Sequence, residues 1–141
     1  MTLASHISTI ATAGGNVTGI TTSYDQDDTP GSLSGAQLPA LLHFPAGGVR
    51  EEETFGRRMW GIRHRVKVQL FYQAAGSGRI EDNLGGIVTI INAYISEMRA
   101  DTTLPECLTF EQYGEPGVFL FNDIKFHGAE FVVSVLEHYQ A

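Results

Sequence analysis

Five histidines are the residues of this sequence best suited to bind a metal or to transfer a proton. They are His6, His43, His64, His127 and His138, and none of them belongs to an HxH or HExxH motif. A metal site needs several such ligands at a spacing that brings them together. His64 alternates with apolar residues and His43 lies in an apolar segment. We therefore interpret both as histidines of a core or a sheet edge.

The sequence also lacks a recognisable nucleophile. Its single cysteine, Cys107, follows Pro105 and Glu106, and no neighbouring residue marks it as reactive. There is no GxSxG motif, no Walker A loop, no GxGxxG and no second cysteine for a zinc site or a disulfide. One cysteine suits a reducing compartment. We predict no catalytic residue, no cofactor and no metal, and we expect that the protein is not an enzyme.

Two glycine-rich or acidic stretches could suggest a ligand, but neither has the required pattern. Asp25 to Gly35 is acidic, yet it lacks the spacing and the terminal glutamate of an EF-hand loop, so we interpret it as a solvated turn region. Gly85 and Gly86 are followed by no Lys-Ser or Lys-Thr pair, and they lie inside a helical pattern. That pair predicts close packing of a helix against a sheet.

Length and charge limit the class of protein. At 141 residues with 43% hydrophobic content, the chain is expected to form one domain over 1–141 with a sizeable core. The net charge of −7 argues against a general nucleic-acid binder. Six of the nine basic residues nevertheless lie between Arg50 and Lys67, which predicts one basic band on an acidic protein. No secretory signal or membrane span is apparent, so we expect a soluble, cytoplasmic protein.

The stretch from Trp60 to Gln73 is the strongest structural signal. Its residues alternate in period two, which predicts one long, half-buried β-strand. One face carries apolar residues with His64 among them: Ile62, His64, Val66, Val68, Leu70 and Tyr72. The other face carries Arg63, Arg65, Lys67, Gln69 and Phe71. Three cations in a row are commonly just solvated, and the alternative is a surface that meets an acidic partner or another copy.

The remaining elements surround this strand. Apolar residues of Glu81 to Arg99 repeat at helical spacing, so this segment predicts an amphipathic helix, and a short helix is predicted over Leu3 to Ala13. Strands are predicted over Val17–Tyr24, Gln37–Pro45, Cys107–Tyr113, Val118–Phe126 and Ala129–Tyr139, the last two joined by a turn at His127-Gly128. This order predicts an α+β fold, with a mostly antiparallel sheet and both helices packed on one face.

Two features indicate contacts with other molecules. The segment 46–59 is too charged for a core and too long for a tight turn, and it predicts an extended charged loop or arm. In the last strand Phe131 and Val133 share one face while Val132 and Leu136 share the other. Apolar groups on both faces predict that this strand is covered on both sides, by the helices and by something else, such as a second copy.

The element order and several stretches resemble one known family. A short helix leads to a strand carrying LPALLHFPAG, then to a charged excursion, and then to a strand of the type W-x-x-x-H-R-V-K-V-Q-L-F-Y. From Leu3 to Tyr139 the chain resembles the tail terminator, or tail completion, proteins of long-tailed bacteriophages. The resemblance implies a structural virion protein of the tail–neck region. It would form a ring of six copies that caps the tail tube, stops its polymerisation and joins the tail to the head connector.

The resemblance also implies roles for charged residues. By position in the element order, a loop facing the tube or the lumen would contain Arg50, Glu51, Glu52, Glu53, Arg57 and Arg58. Arg63, Arg65 and Lys67 would pair between subunits with acids such as Glu130 and Glu137. The implied partners are other copies of the chain, the tail tube protein and the connector or neck proteins. DNA would pass through the lumen without sequence-specific contact, and no membrane is involved.

Three alternatives remain open from the sequence. A neck or head–tail joining protein of a phage, or a tail tube protein, would look similar. A small α+β enzyme or ligand-binding domain would instead have a pocket between the helix Glu81 to Arg99 and the sheet. A pocket with converging polar groups would favour that reading.

Overall fold

The fold contains two helices and a six-stranded sheet. The computed structural model describes residues 2–51, 59–76, 78–104 and 108–140. The helices are α1 (Leu3–Gly15) and α2 (Leu84–Ala100). The strands are β1 (Thr22–Tyr24), β2 (Ala40–Glu51), β3 (Met59–Ala74), β4 (Leu108–Tyr113), β5 (Gly117–Phe121) and β6 (Ile124–Gln140). Short 3-10 turns occupy Gly35–Gln37 and Ile80–Asp82. The predicted α+β class is confirmed.

The sheet has the order β1-β2-β3-β6-β4. Strand β5 also pairs with β6, along its first residues, whereas β4 pairs with a later part of β6. All pairs are antiparallel except β1 with β2. The long strands β3 and β6 form its centre, with paired residues running from Met59 opposite Gln140 to Ala74 opposite Phe126. Alternation in β3 is as predicted, because Val66, Val68 and Leu70 are completely buried.

Both helices pack on the same face of the sheet, as predicted. Their apolar residues join those of β3 and β6 in one cluster that includes Ile10, Ile87 and Phe131. The Tyr94 ring stacks on the Phe131 ring with centroids 4.3 Å apart. The buried side of α2 consists of Ile87, Ile90, Ile91, Tyr94 and Met98. Val88 belongs to the apolar repeat of this segment but is 56% exposed, so the buried side of α2 is shifted from the side that the repeat predicts.

A second, smaller core lies on the opposite face, which we call the outer face. It contains Leu33, Ala40, Leu42, Phe71 and Phe126, all buried. Leu33 comes from the connection between β1 and β2, so the chain folds back over this end of its own sheet. The Phe71 ring lies 5.4 Å from the Phe126 ring and 5.6 Å from the Phe121 ring. Near the start of β6, the chain itself therefore covers the outer face.

The turn before the last strand is not where the sequence had indicated. We predicted it at His127-Gly128, but it lies at Asn122 and Asp123, whose φ angles are 51° and 63°. Two successive residues with positive φ form the primed turn that joins twisted antiparallel strands, and Asn and Asp tolerate that conformation. Gly128 lies inside β6. A Cβ atom there would lie 1.8 Å from the Leu70 carbonyl oxygen, so the glycine permits close strand approach.

Other element ends also differ from expectation. Of the strand predicted over Val17–Tyr24, only Thr22–Tyr24 forms. The strand predicted to end at Pro45 continues to Glu51, so the segment 46–59 is in part a strand. A bulge between Pro45 and Gly48 accommodates this, with Gly47 at a φ of 86°. Among the described residues, no helix is long and apolar enough to cross a membrane.

Candidate interaction surfaces

Strands β2 and β3 continue to pair past the last buried residue of β2, and this part of β3 also pairs with the end of β6. We call the described residues 46–51 and 59–65 the arm. Residues 46–50 are exposed, and Val49 keeps 51% of its surface accessible. The arm retains strand pairing, with Arg50 opposite Ile62 and Glu51 opposite Gly61. Of the residues predicted to face a tube, Arg50 and Glu51 lie on this paired base. Glu52, Glu53, Arg57 and Arg58 lie outside the described residues.

Arg63 organises the charges of the outer face. Its Nε donates to a carboxylate oxygen of Glu51 on the neighbouring strand. Its Nη1 lies 3.2 Å from Ser134 Oγ and 3.4 Å from Thr109 Oγ1. One guanidinium therefore connects β2, β6 and β4. This network holds the base of the arm against the sheet, because guanidinium nitrogens have fixed directions.

Arg65 and Lys67 differ in their surroundings. The Arg65 Nε lies 3.4 Å from a carboxylate oxygen of Glu111, which occupies the bulge in β4. Lys67 is half-buried between Phe44 and Val132, its register neighbours. Within the described part of the chain it forms no ion pair. Lys67 is thus the cation of this row best placed to meet an acid on another molecule.

The two acids predicted to pair between subunits lie on different faces. Glu130 is on the outer face, opposite Gln69, whose amide nitrogen lies 3.4 Å from its carboxylate. Glu137 lies on the helix-covered face, where its carboxylate is 3.6 Å from His64 Nε2. Side chains alternate between the two faces along β6, and an odd separation in sequence therefore puts Glu130 and Glu137 on opposite faces. The structure therefore places Arg63, Arg65, Lys67 and Glu130 on one face of the sheet, and Glu137 on the other.

Buried histidines occupy the helix-covered face. His43 is fully buried, and its Nδ1 lies 2.8 Å from the Tyr24 carbonyl oxygen, which makes that nitrogen the donor. Burial lowers the pKa of His43 to about 4. Burial also lowers the pKa of His6, although the Glu137 carboxylate opposes that shift. His127 Nδ1 lies 2.7 Å from the Asn83 amide nitrogen. The His43 contact links β2 to β1, and the His127 contact links β6 to Asn83, the residue that precedes α2.

A cleft opens between the first turns of α2 and the α1–β1 connection. Its volume is about 470 Å³, and it is lined by Thr18, Gly19, Pro39, Tyr72, Gly85, Gly86, Thr89 and Ile90. The polar side-chain groups that line the cleft are the hydroxyls of Thr18, Tyr72 and Thr89. Gly86 packs directly on Tyr72, since a Cβ atom would lie 2.0 Å from the phenol oxygen, whereas Gly85 faces open space. Close packing is thus confirmed for Gly86 alone.

The described residues contain no group of three His, Cys, Asp or Glu side chains arranged to hold a metal ion. Cys107 lies outside them. The sequence indicated the cationic row of β3, but sequence reasoning did not identify the acidic residues that pair with these cations. Glu51 and Glu111 reach Arg63 and Arg65 across strand pairings, and such pairings leave no local signal in the sequence.

The fold and the surfaces described above define a structural class of protein and do not indicate a chemical reaction. The chain has an α+β fold that presents the arm and a charged outer sheet face. In comparisons with known proteins, no family model and no curated protein matches the sequence.

Proposed function

We propose that this protein is a ring-forming tail terminator of the kind found in long-tailed bacteriophages. The observation that carries the proposal is the arm. Strand pairing continues to Glu51 opposite Gly61, well beyond the last buried residue of β2, His43. An exposed segment that remains paired in a sheet is a preformed contact element, because little conformational entropy is lost when it binds. Its sequence position is the one that the family resemblance assigns to the tube-facing loop.

Charge on the outer face supports a role in assembly. A closed ring needs two different complementary patches on each subunit. Lys67 is a basic residue of this face, while the protein as a whole has a net charge of −7, so acidic surface for a neighbouring copy is plentiful. We assign the contact between subunits chiefly to Lys67 and Glu130. Arg63 and Arg65 would act within each subunit, by fixing the arm through Glu51 and Glu111.

In this proposal the ring ends tail growth because it occupies the last ring of tube subunits with one face. Its other face differs from that of a tube subunit and accepts the connector instead. The protein needs no catalytic group for this action. DNA would pass through the lumen during packaging or ejection without base-specific contact.

The test is polymerisation of purified tail tube protein with and without this chain. We expect the chain to shorten the tubes and to appear as a cap at one end in negative-stain images. Deleting Gly48 to Arg58 should abolish capping while the unfolding midpoint stays close to that of the full chain, because strand pairing from Ala40 to Pro45 is retained. Val88→Lys is the control, since this exposed side chain lies on α2, away from the arm.

Each outcome of that test is informative. Tubes of unchanged length, without caps, would refute the terminator function. Binding to purified connector but not to tubes would indicate a neck or head–tail joining protein instead. If the deletion unfolded the domain, the arm would be a core element, and its assignment as a contact element would be wrong.

The cleft between α2 and the α1–β1 connection is the observation that favours a ligand-binding domain. It has a volume suited to a small molecule, and the hydroxyls of Thr18, Tyr72 and Thr89 line it. Screening small-molecule fragments by NMR would test this function. A ligand that shifts the Gly19, Gly86 and Thr89 amide signals together would support it.

A further inference from the structure

Strand β5 forms a sheet edge that differs from the other edges of this protein. It pairs with β6 on one side, and none of the described residues pairs with its other side. Its sequence, Gly-Val-Phe-Leu-Phe, contains no charge and no proline. Val118 and Leu120 are 53% and 65% exposed. A regularly paired, apolar and uncharged edge is a template for pairing with another strand.

The other edge strands carry features that oppose such pairing. The free edge of β2 contains Pro45, which has no N–H, and the bulge at Pro45 and Gly48. Strand β4 is interrupted by the bulge between Phe110 and Gln112, where Glu111 places a charge. Strand β1 has only three residues. Bulges, charges, prolines and short strands are the usual protection of sheet edges. Only β5, among the described strands, combines regular pairing with an uncharged apolar sequence.

The backbone of β5 is complementary to itself. Because a two-residue turn joins β5 to β6, Phe121 and Ile124 form the first hydrogen-bonded pair, and bonded pairs then alternate. The N–H and C=O groups of Val118 and Leu120 therefore point away from β6. In an antiparallel pair of two β5 strands centred on Phe119, Val118 of one copy lies opposite Leu120 of the other. The groups that point outward then bond to each other.

The side chains of β5 fit the same register. Val118 and Leu120 lie on one face of the strand, so each exposed valine would meet an exposed leucine of the other copy. The two Phe119 residues would form a pair without hydrogen bonds, in which cross-strand side chains approach most closely. The contact would cover apolar surface that is now exposed and would also satisfy the free backbone groups.

We propose that two copies of this chain associate through antiparallel pairing of their β5 edges. The occupant of the β5 edge is thus the β5 strand of a second copy. This two-fold contact is independent of the proposed tail function, since a head-to-tail ring joins two different patches whereas this contact pairs one patch with itself. The inference therefore stands or fails on its own experiment.

The first experiment measures native mass by analytical ultracentrifugation of the full chain over a range of concentrations. We expect a concentration-dependent dimer. Leu120→Lys should weaken dimerisation by about 100-fold or more, because it places two like charges in one apolar contact. Val88→Lys replaces an equally exposed valine on α2 and should leave dimerisation unchanged. Thermal unfolding of both variants should resemble that of the wild type, since both positions are exposed.

The second experiment tests the register by disulfide formation in a Cys107→Ser background. Mixing Val118→Cys with Leu120→Cys protein should give a cross-linked dimer, because bonded antiparallel pairs have Cα atoms about 5.5 Å apart, within disulfide range. Either variant alone should cross-link poorly, because identical positions are not opposite each other. A wild-type monomer at every concentration would overturn the proposal. So would an unchanged dimer of Leu120→Lys, or equal cross-linking by Val118→Cys alone.

Discussion

At the scale of single residues, His43 ties the stability of the fold to pH. Its pKa of about 4 in the folded protein lies below the value near 6.5 of an exposed histidine. The folded state therefore binds fewer protons, so this contribution to stability is complete above about pH 6.5 and is lost as the pH falls toward 4. The difference between the folded and unfolded pKa of His43 corresponds to at most about 3 kcal/mol of folding stability. We expect the free energy of unfolding to decrease over this range.

The variant His43→Gln isolates that contribution. Its amide nitrogen can still donate to the Tyr24 carbonyl, but it does not titrate. Urea unfolding at several pH values should show a shallower acid-side decrease for this variant than for the wild type. His6, whose pKa is also lowered, contributes to both curves equally. Parallel pH profiles would contradict the role of His43.

A second prediction at the scale of single residues concerns the stability effects of substituting two glycines, Gly128 and Gly85. A Cβ atom at position 128 would collide with the backbone carbonyl of Leu70, which cannot move without breaking the pairing of β3 with β6. Gly128→Ala should therefore destabilise the fold by roughly 3 kcal/mol or more. Gly85→Ala is the matched control, because that position faces open space in a helix and alanine should stabilise it by up to about 1 kcal/mol. Chemical denaturation of the two variants measures both values.

At the scale of elements, the turn between β5 and β6 determines whether the hairpin forms in register. Asp123 has a φ of 63°, a conformation that glycine and asparagine tolerate and β-branched residues do not. We expect Asp123→Gly to raise the free energy of unfolding by about 0.5–1 kcal/mol, Asp123→Asn to leave it nearly unchanged, and Asp123→Val to lower it by about 1–2 kcal/mol. Equal stability of the glycine and valine variants would show that the turn is not the primed type.

Sequence periodicity predicted the elements whose surroundings are uniform along their length. The alternation of β3 and the apolar stripe of α2 were visible because one long face of each meets a single core. The turn at Asn122 was missed because Gly128 looked like a turn residue, whereas its lack of a side chain serves close strand approach. Likewise, the strand predicted to end at Pro45 continues to Glu51 through a bulge between Pro45 and Gly48. Cross-strand register decides both cases, and it cannot be seen in a single strand's sequence.

At the scale of the whole molecule, the two proposed contacts differ in their physical basis. Contacts through Lys67, Glu130 and the arm are electrostatic and should be screened by salt, since the Debye length falls from about 10 Å at 0.1 M to about 3 Å at 1 M. The β5 contact is apolar and bonded through the backbone, so salt should not weaken it. Salt therefore separates the two contacts in one protein.

We expect the wild-type chain on tail tubes to form larger assemblies at low salt and to fall to a dimer, not a monomer, at high salt. Leu120→Lys should still cap tubes at low salt and become a monomer at high salt, because only the ring contact remains in that variant. Lys67→Glu should give the reverse result, a dimer that does not cap tubes. Light scattering and negative-stain imaging measure both outcomes. If high salt reduced the wild type to monomers, charge would hold the β5 contact, and the apolar complementarity of its edge would be refuted.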